Sequence, residues 1–371
     1  MREWQLGRLG DLAAYVTVGH VGPMAHKYQG SGVPFLRSQN VRPHRIDRRE
    51  LKFIDEEFHR ELAKSQLEAG DVVIVRTGKP GQAAVIPEWM HAANCSDLVI
   101  VRPGPSLESR WLSYYLNWIT ETHISGQLVG AVQQHFNVGS AKNLELSVPP
   151  LHEQRAIAEV LGALDDKIAA NDRVLCATDE LCAAEVKAAA YAGAWMQLRD
   201  LLRLHYGKAL PAPQREHGKA VVYGSGGPTG VHSVALVDRP GVVIGRKGTV
   251  GAVYWADGPH FPIDTTYYVQ SLNADDEVLY YLLRSIRLRD LNSDSAVPGL
   301  NREEAYSQRV RVPSLQKRAD LSVSLRVRFL WMAARRRESS QLTATRNELL
   351  PLLMSGRIRV RDAERAVEEV V

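Results

Sequence analysis

Cysteine is scarce in this chain of 371 residues: there are three, Cys95, Cys176 and Cys182, with no Cys-x-x-Cys pair. Three is an odd number for a disulfide framework, and reduced thiols in a cytoplasmic setting fit best. No run approaches the roughly 18 apolar residues that a membrane span requires, and the first residues mix charge with apolar side chains, so neither membrane insertion nor secretion is expected. An excess of one sign of charge is nearly absent as well: Lys plus Arg number 46 against 42 for Asp plus Glu, a net of +4. So small an excess permits a polyanionic partner without demanding one, and the distribution of charge decides. Hydrophobic residues at 45% nonetheless place the chain among folded proteins, with length for more than one domain.

Catalytic signatures are missing too. There is no Gly-x-x-x-x-Gly-Lys-[Ser/Thr] phosphate loop, no Gly-x-Ser-x-Gly elbow and no His-Glu-x-x-His pair. Gly224-Ser-Gly-Gly-Pro-Thr-Gly is interrupted by Pro228 and is no dinucleotide fingerprint, and no Cys/His cluster suggests zinc. The Asn-Pro-Pro-aromatic signature of adenine methyltransferases is absent. The expectation is therefore a non-catalytic protein that needs no cofactor and no metal.

What is present is a repeat. Residues 72–84 read VVIVRTGKPGQAA and residues 242–253 read VVIGRKGTVGAV, sharing V-V-I-x-R-x-G-x-x-G at an offset of 170. Trp4-Gln-Leu-Gly-Arg-Leu matches the stretch from Trp195, Leu112-Ser-Tyr-Tyr-Leu matches Leu279-Tyr-Tyr-Leu-Leu, and Val148-Pro-Pro-Leu matches Val312-Pro-Ser-Leu. Each copy opens with short β-branched runs broken by Gly and Pro, among them Val72–Val75, Leu98–Val101, Val242–Ile244 and Thr265–Val269, which predicts an α+β globule.

After each Val-Pro motif the proline stops and a long helix is predicted. Ile157, Leu161, Leu164, Ile168, Asn171, Leu175, Thr178 and Cys182 alternate at intervals of four and three, a coiled-coil seam in which Asn171 could fix register. Leu321, Leu325, Met332, Leu342, Leu349 and Leu353 keep much of that pattern in the second copy. Residues 151–190 carry four basic against eight acidic side chains and residues 316–346 eight against two, so opposite charge favours pairing of the two helices. The alternative is that each helix packs on its own globule with a solvated charged face.

The run from Val148 through Glu153-Gln154-Arg155 and Leu164-Asp165-Asp166-Lys167-Ile168 to Asn171 resembles the central conserved region of the specificity subunit of Type I restriction-modification enzymes. Leu349-Leu-Pro-Leu-Leu-Met-Ser-Gly-Arg-Ile-Arg-Val is similar to that family's distal conserved region. The second copy departs at Gln316-Lys317-Arg318, where the Glu-Gln-Arg opening is lacking. The resemblance implies two tandem α+β target recognition domains, each followed by a long helix, the helices pairing as an antiparallel coiled coil. Residues 1–150 and 194–314 would be the recognition domains, 151–193 and 315–357 the central and distal helices, and 358–371 a tail. It further implies double-stranded DNA as partner, each domain binding half of a split, asymmetric site. Two methyltransferase subunits would dock on the scaffold, through Glu153, Gln154, Arg155, Asp165 and Asp166, and restriction or translocase subunits could join. A degenerate subunit that only assembles partners is the competing reading.

Base edges are read by side chains with paired donors and acceptors. In the first copy the candidates are Arg37, Gln39 and Asn40; Arg76, Thr77 and Lys79 on a Gly-rich turn that lets amides approach phosphate; and Gln133, Gln134 and Asn137. In the second they are Tyr223, Ser225, Arg246, Lys247, Asn301 and Arg302. Arg76 and Arg246 could instead be structural arginines paired with a carboxylate, and Gln133, Gln134 and Asn137 could simply cap a turn.

Overall fold

The computed structural model describes residues 4–120, 136–273, 275–291 and 299–368. The chain divides into two compact units, Met1–Ile168 with Ser340–Val371, and Ala169–Ser339.

In the first unit an antiparallel sheet runs in the order Ala13–Val18, Leu98–Pro103, Val72–Val75, Ala83–Val85. Val72–Val75 and Leu98–Val101 are wholly buried, as continuous β-branched runs must be when both faces of a sheet are covered. A second sheet orders Lys52–Ile54, Val33–Leu36, Ala93–Cys95 and Gln66–Leu67. Helix Ser109–Ile119, its start capped by the Glu108 carboxylate, buries Trp111, Leu112, Tyr114, Tyr115 and Leu116. The edge pair Gln5–Arg8 and Glu145–Val148 closes the globule.

The second unit repeats this plan. Its sheet runs Leu202–Tyr206, Thr266–Ser271, Gly241–Gly245, Val253–Ala256, with helix Asp276–Ser285 against it and the pair Ala194–Gln197 and Arg309–Val312 at the edge. A three-stranded sheet of Gly227–His232, Ala220–Gly224 and His260–Pro262 replaces the four-stranded one.

The two long helices are Leu151–Tyr191, here the central helix, and Leu315–Met354, the distal helix. Each lends one part to each unit. In the first unit Ile157, Leu161 and Leu164 share a core with Leu342, Leu349 and Leu353, and Arg346 donates to Asp165 at 2.7 Å. In the second, Cys182 and Val186 share a core with Leu321, Leu325 and Met332, and Arg328 donates to Glu185 at 2.6 Å. There the amide of Asn171 donates to Glu338 at 3.1 Å and to Ser339 at 3.2 Å, so rising numbers on one helix meet falling numbers on the other. The antiparallel pairing, the seam and its polar position follow the expectation, and a buried Asn satisfied in only one alignment penalises slippage.

Registers refine the repeat. Trp195 lies opposite Arg311, as Leu6 lies opposite Ser147, so Leu6 is the counterpart of Trp195 and the two tryptophans differ by two positions. The N–H of Arg318 donates to the Ser314 carbonyl as that of Gln154 does to Pro150, which places Arg318 where the first copy has Gln154.

Candidate nucleic-acid interface

The shared Arg-x-Gly-x-x-Gly segment folds identically in both units. Gly78 and Gly81 have φ of +86° and +88°, and Gly248 and Gly251 have +80° and +70°, a left-handed backbone that other residues adopt only with strain. Packing adds a second requirement: a Cβ on Gly81 would meet Thr120 Oγ1 at 2.3 Å, and one on Gly251 the Leu288 carbonyl carbon at 2.4 Å. The loops close by the same bonds, Gly81 N–H to the Val75 carbonyl (2.9 Å) and Gly251 N–H to the Gly245 carbonyl (2.8 Å).

Beside each loop lies a short Asn-capped helix. In the first unit the Arg76 carbonyl accepts from Phe136 N–H at 3.3 Å, and Asn137 Oδ1 accepts from Ser140 N–H at 2.8 Å at the start of Val138–Lys142. In the second the Arg246 carbonyl accepts from Leu300 N–H at 2.8 Å, and Asn301 Oδ1 accepts from Glu303 N–H at 2.8 Å at the start of Arg302–Ser307. Arg76 and Asn137 thus converge, as do Arg246, Asn301 and Arg302. The distance in sequence hides this, because the loop and the capped helix are joined by long-range backbone pairing.

The arginines themselves differ. Arg76 donates to Asp97 at 2.8 Å and Thr77 Oγ1 donates to the other oxygen of the same carboxylate at 2.6 Å, a structural tether. Arg246 makes no carboxylate pair among the described residues: it donates to the Asp264 carbonyl at 2.6 Å. Its guanidinium lies 5.3 Å from the centroid of Tyr206, and that of Arg302 lies 5.3 Å from the same ring. Two cations flanking one half-exposed ring, with exposed Lys247 adjacent, form a positive surface held by cation–π contacts. Tyr206 was not among the sequence candidates; its signal is an aromatic in the mixed His205-Tyr206-Gly207-Lys208 stretch at a strand end.

Around Arg37 the first unit forms a cradle. Arg37 Nη2 donates to the Glu50 carbonyl at 2.7 Å, and exposed Gln39 donates to the Glu50 carboxylate at 3.0 Å. Asn40 is fully buried: its Oδ1 accepts from Arg37 N–H at 3.1 Å, and its amide donates to the Asp47 and Arg49 carbonyls at 3.1 and 3.2 Å. Asn40 thus shapes the loop that presents Arg37 and Gln39. Tyr223 is likewise buried, its hydroxyl donating to the Trp255 carbonyl at 3.2 Å, and burial pushes that phenol up to about 12. Ser225 lies beside the Arg246 loop, its hydroxyl accepting from Thr249 N–H at 3.4 Å. Lys79 is exposed at its loop tip. Gln133 and Gln134 lie outside the described residues.

Of the residues expected to meet partner chains, Gln154 is buried; its amide donates to the Ser106 and Pro149 carbonyls (2.8 and 2.9 Å) and its oxygen accepts from Glu108 N–H (2.9 Å). It pins the central helix to its globule. Glu153 is buried too, and Asp165 is engaged by Arg346 and by the Tyr114 hydroxyl at 2.5 Å. Arg155 and Asp166 are exposed, Asp166 accepting from Arg110 at 3.3 Å. No group of His, Cys, Asp and Glu suited to a metal occurs among the described residues, and no described helix is long and apolar enough to cross a membrane.

Residues 1–175 match the family model described as the Type I restriction modification DNA specificity domain. A Methanocaldococcus jannaschii protein assigned as type I restriction enzyme MjaX specificity subunit is 24% identical over 176 residues, 45% of this chain and 40% of that protein. The chain thus aligns with well under two thirds of that relative's length. The crystal structure of the S subunit of a Type I restriction-modification system from M. genitalium superposes with a TM-score of 0.62 at 18% identity, over 94% of this chain and 96% of that one.

Proposed function

We propose that this chain, whose residues 1–175 match the Type I restriction modification DNA specificity domain, is the non-catalytic DNA-reading subunit of a Type I restriction-modification complex in the cytoplasm. Each unit binds half of a bipartite, asymmetric site. One observation carries the reading: the same Arg-x-Gly-x-x-Gly loop, braced by the same Asn-capped helix, is built twice in one chain with different side chains around it. Duplicated geometry with diverged chemistry is what two half-sites of unlike sequence require.

Arg37, Gln39, Arg76, Thr77 and Lys79 in one unit, and Ser225, Arg246, Lys247 and Arg302 in the other, are the proposed DNA-facing set. Asn137 and Asn301 keep amide donors beyond their caps. Arginine and lysine serve both guanine edges and phosphates, so affinity should fall steeply with salt. The paired helices act as the spacer, and at about 1.5 Å per residue some 30 paired residues span about 45 Å, a little over one DNA turn. Methyltransferase subunits, two by the internal repeat, supply the chemistry, and restriction subunits can join.

The test is DNA binding by the assembled complex of this chain with its methyltransferase subunit, measured by fluorescence anisotropy across a library of duplexes. Sequence-selective, salt-sensitive binding is expected. Binding that is absent or indifferent to salt would support instead an adaptor that only assembles partners.

A further inference from the structure

The second unit carries an open apolar groove of about 600 Å³ between the C-terminal turns of the central helix, the strand pair at the edge of the globule and the end of helix Asp276–Ser285. Val186, Ala190, Leu282 and Ile286 form its floor. Tyr191 and Trp195 stand at its mouth, 79% and 54% exposed, a large cost for aromatic surface unless something covers it. Its rim is cationic. Lys187, Arg309 and Arg311 line it and have no carboxylate partner among the described residues; Arg311 donates to the Tyr191 carbonyl at 2.6 Å, and its guanidinium lies 5.4 Å from the Tyr191 ring and 5.5 Å from that of Trp195.

The repeat shows what such a surface accepts. In the first unit the chain's own C-terminal helix, Val360–Glu368, joins the core that holds Leu350 and Met354 of the distal helix and Trp118 and Ile119 of the globule. Its Ala363 is fully buried, and Ile358, Val360, Ala366 and Val367 pack on that core. These are the counterparts of the second unit's groove: Leu350 and Met354 stand 164 residues after Val186 and Ala190, the same offset that relates Val148 to Val312. The rims differ in charge. Opposite Leu6 and Arg8 the first unit places Ser147 and Glu145, whereas opposite Trp195 and Gln197 the second places Arg311 and Arg309. The open groove therefore suits a helix with a similar small-residue apolar stripe, flanked by carboxylates to match its cationic rim.

We propose that the groove at Tyr191, Trp195 and Arg311 docks an amphipathic helix of a partner protein, with a small-residue apolar stripe and carboxylates on both flanks. The docked stripe covers the exposed rings, and the carboxylates meet Lys187, Arg309 and Arg311. The surface is separate from the candidate DNA interface, so the inference goes beyond the DNA-reading role and stands or falls apart from it.

Two short fluorescein-labelled helical peptides with one Ala/Leu stripe, one flanked by Glu and the other by Lys, test this by anisotropy on the full chain. The Glu-flanked peptide should bind at least tenfold more tightly. Trp195→Ala, at an exposed side chain, should remove that binding, and Arg309→Glu with Arg311→Glu should invert the preference toward the Lys-flanked peptide. Equal binding of both peptides, no binding of either, or an unchanged Trp195→Ala profile would overturn the proposal. Self-association of the chain that Trp195→Ala abolishes would also overturn it, by naming a second copy as the occupant.

Discussion

At the joint between globule and helices the two units solve one problem with different chemistry. In the first, the joint is polar: the Tyr114 hydroxyl and Arg346 both bond to Asp165, the Tyr114 ring lies 4.3 Å from that of His44, and Gln154 ties the central helix to the globule. In the second, Phe329 stands 164 residues after Asp165 and packs at 4.4 Å on Trp255 and at 5.7 Å on Tyr281. Where the first unit has Gln154, the second has Arg318, buried and paired with buried Asp275 at 2.8 Å. Position in the fold is thus shared while the means of holding it is not. The polar joint specifies orientation through hydrogen bonds and the Arg346–Asp165 pair, and the aromatic joint through ring packing and ion pairs, among them Arg318–Asp275, Arg326–Glu277 and Arg336–Asp257.

The largest effect separating the two joints is expected at the Arg318–Asp275 pair. Arg318→Ala leaves the Asp275 carboxylate buried without its cation, a loss of about 3–5 kcal/mol. Gln154→Ala at the matching position strands neutral groups only and should cost about 1–3 kcal/mol. Calorimetry of both variants ranks them, and equal losses would erase the distinction between the joints.

Next in size is reading. Arg246→Ala removes a guanidinium that has no carboxylate tether among the described residues and should weaken one half-site by about 1–3 kcal/mol. Arg76→Ala should act on the other half alone and also loosen the loop held by Asp97. Competition with duplexes altered in one half measures this, and equal loss at both halves from either variant would mean the units do not read independently.

A pH-dependent effect follows from His44, which burial holds down to about 4; its Nδ1 lies 3.3 Å from the Asn117 amide nitrogen, a donor that suits an unprotonated ring. The unfolded chain takes up this proton near 6.5, the folded one near 4. Between those pH values the unfolded state holds more protons, so stability drops as pH is lowered through this window. His44→Asn should flatten that part of the Tm against pH curve, and a curve identical to the parent's would place the acid sensitivity elsewhere.

Much of the architecture was legible in the sequence because it rests on short-range pattern. The duplicated Val-Val-Ile strand with its two glycines, the alternating seam from Ile157 to Cys182, and the opposed helix charges all depend on spacing along the chain. What escaped depends on burial. Asn40, Gln154 and Tyr223 are polar residue types suited to recognition, yet each is inside, its hydrogen bonds spent on loop, helix or strand. The same holds for Trp4 and Trp195, aligned by identity but two positions apart once strand pairing sets the register. Tyr206 gained its place between two arginines only through partners about 40 and 96 residues away.

Mapping of methylated bases in the host genome by single-molecule sequencing tests the account most directly, with the native chain and with one whose residues 194–314 come from a relative of different specificity. A split, asymmetric motif is predicted, in which the exchange rewrites one half and leaves the other half and the gap as they were. A motif without a gap, or one rewritten in both halves by that exchange, would contradict it.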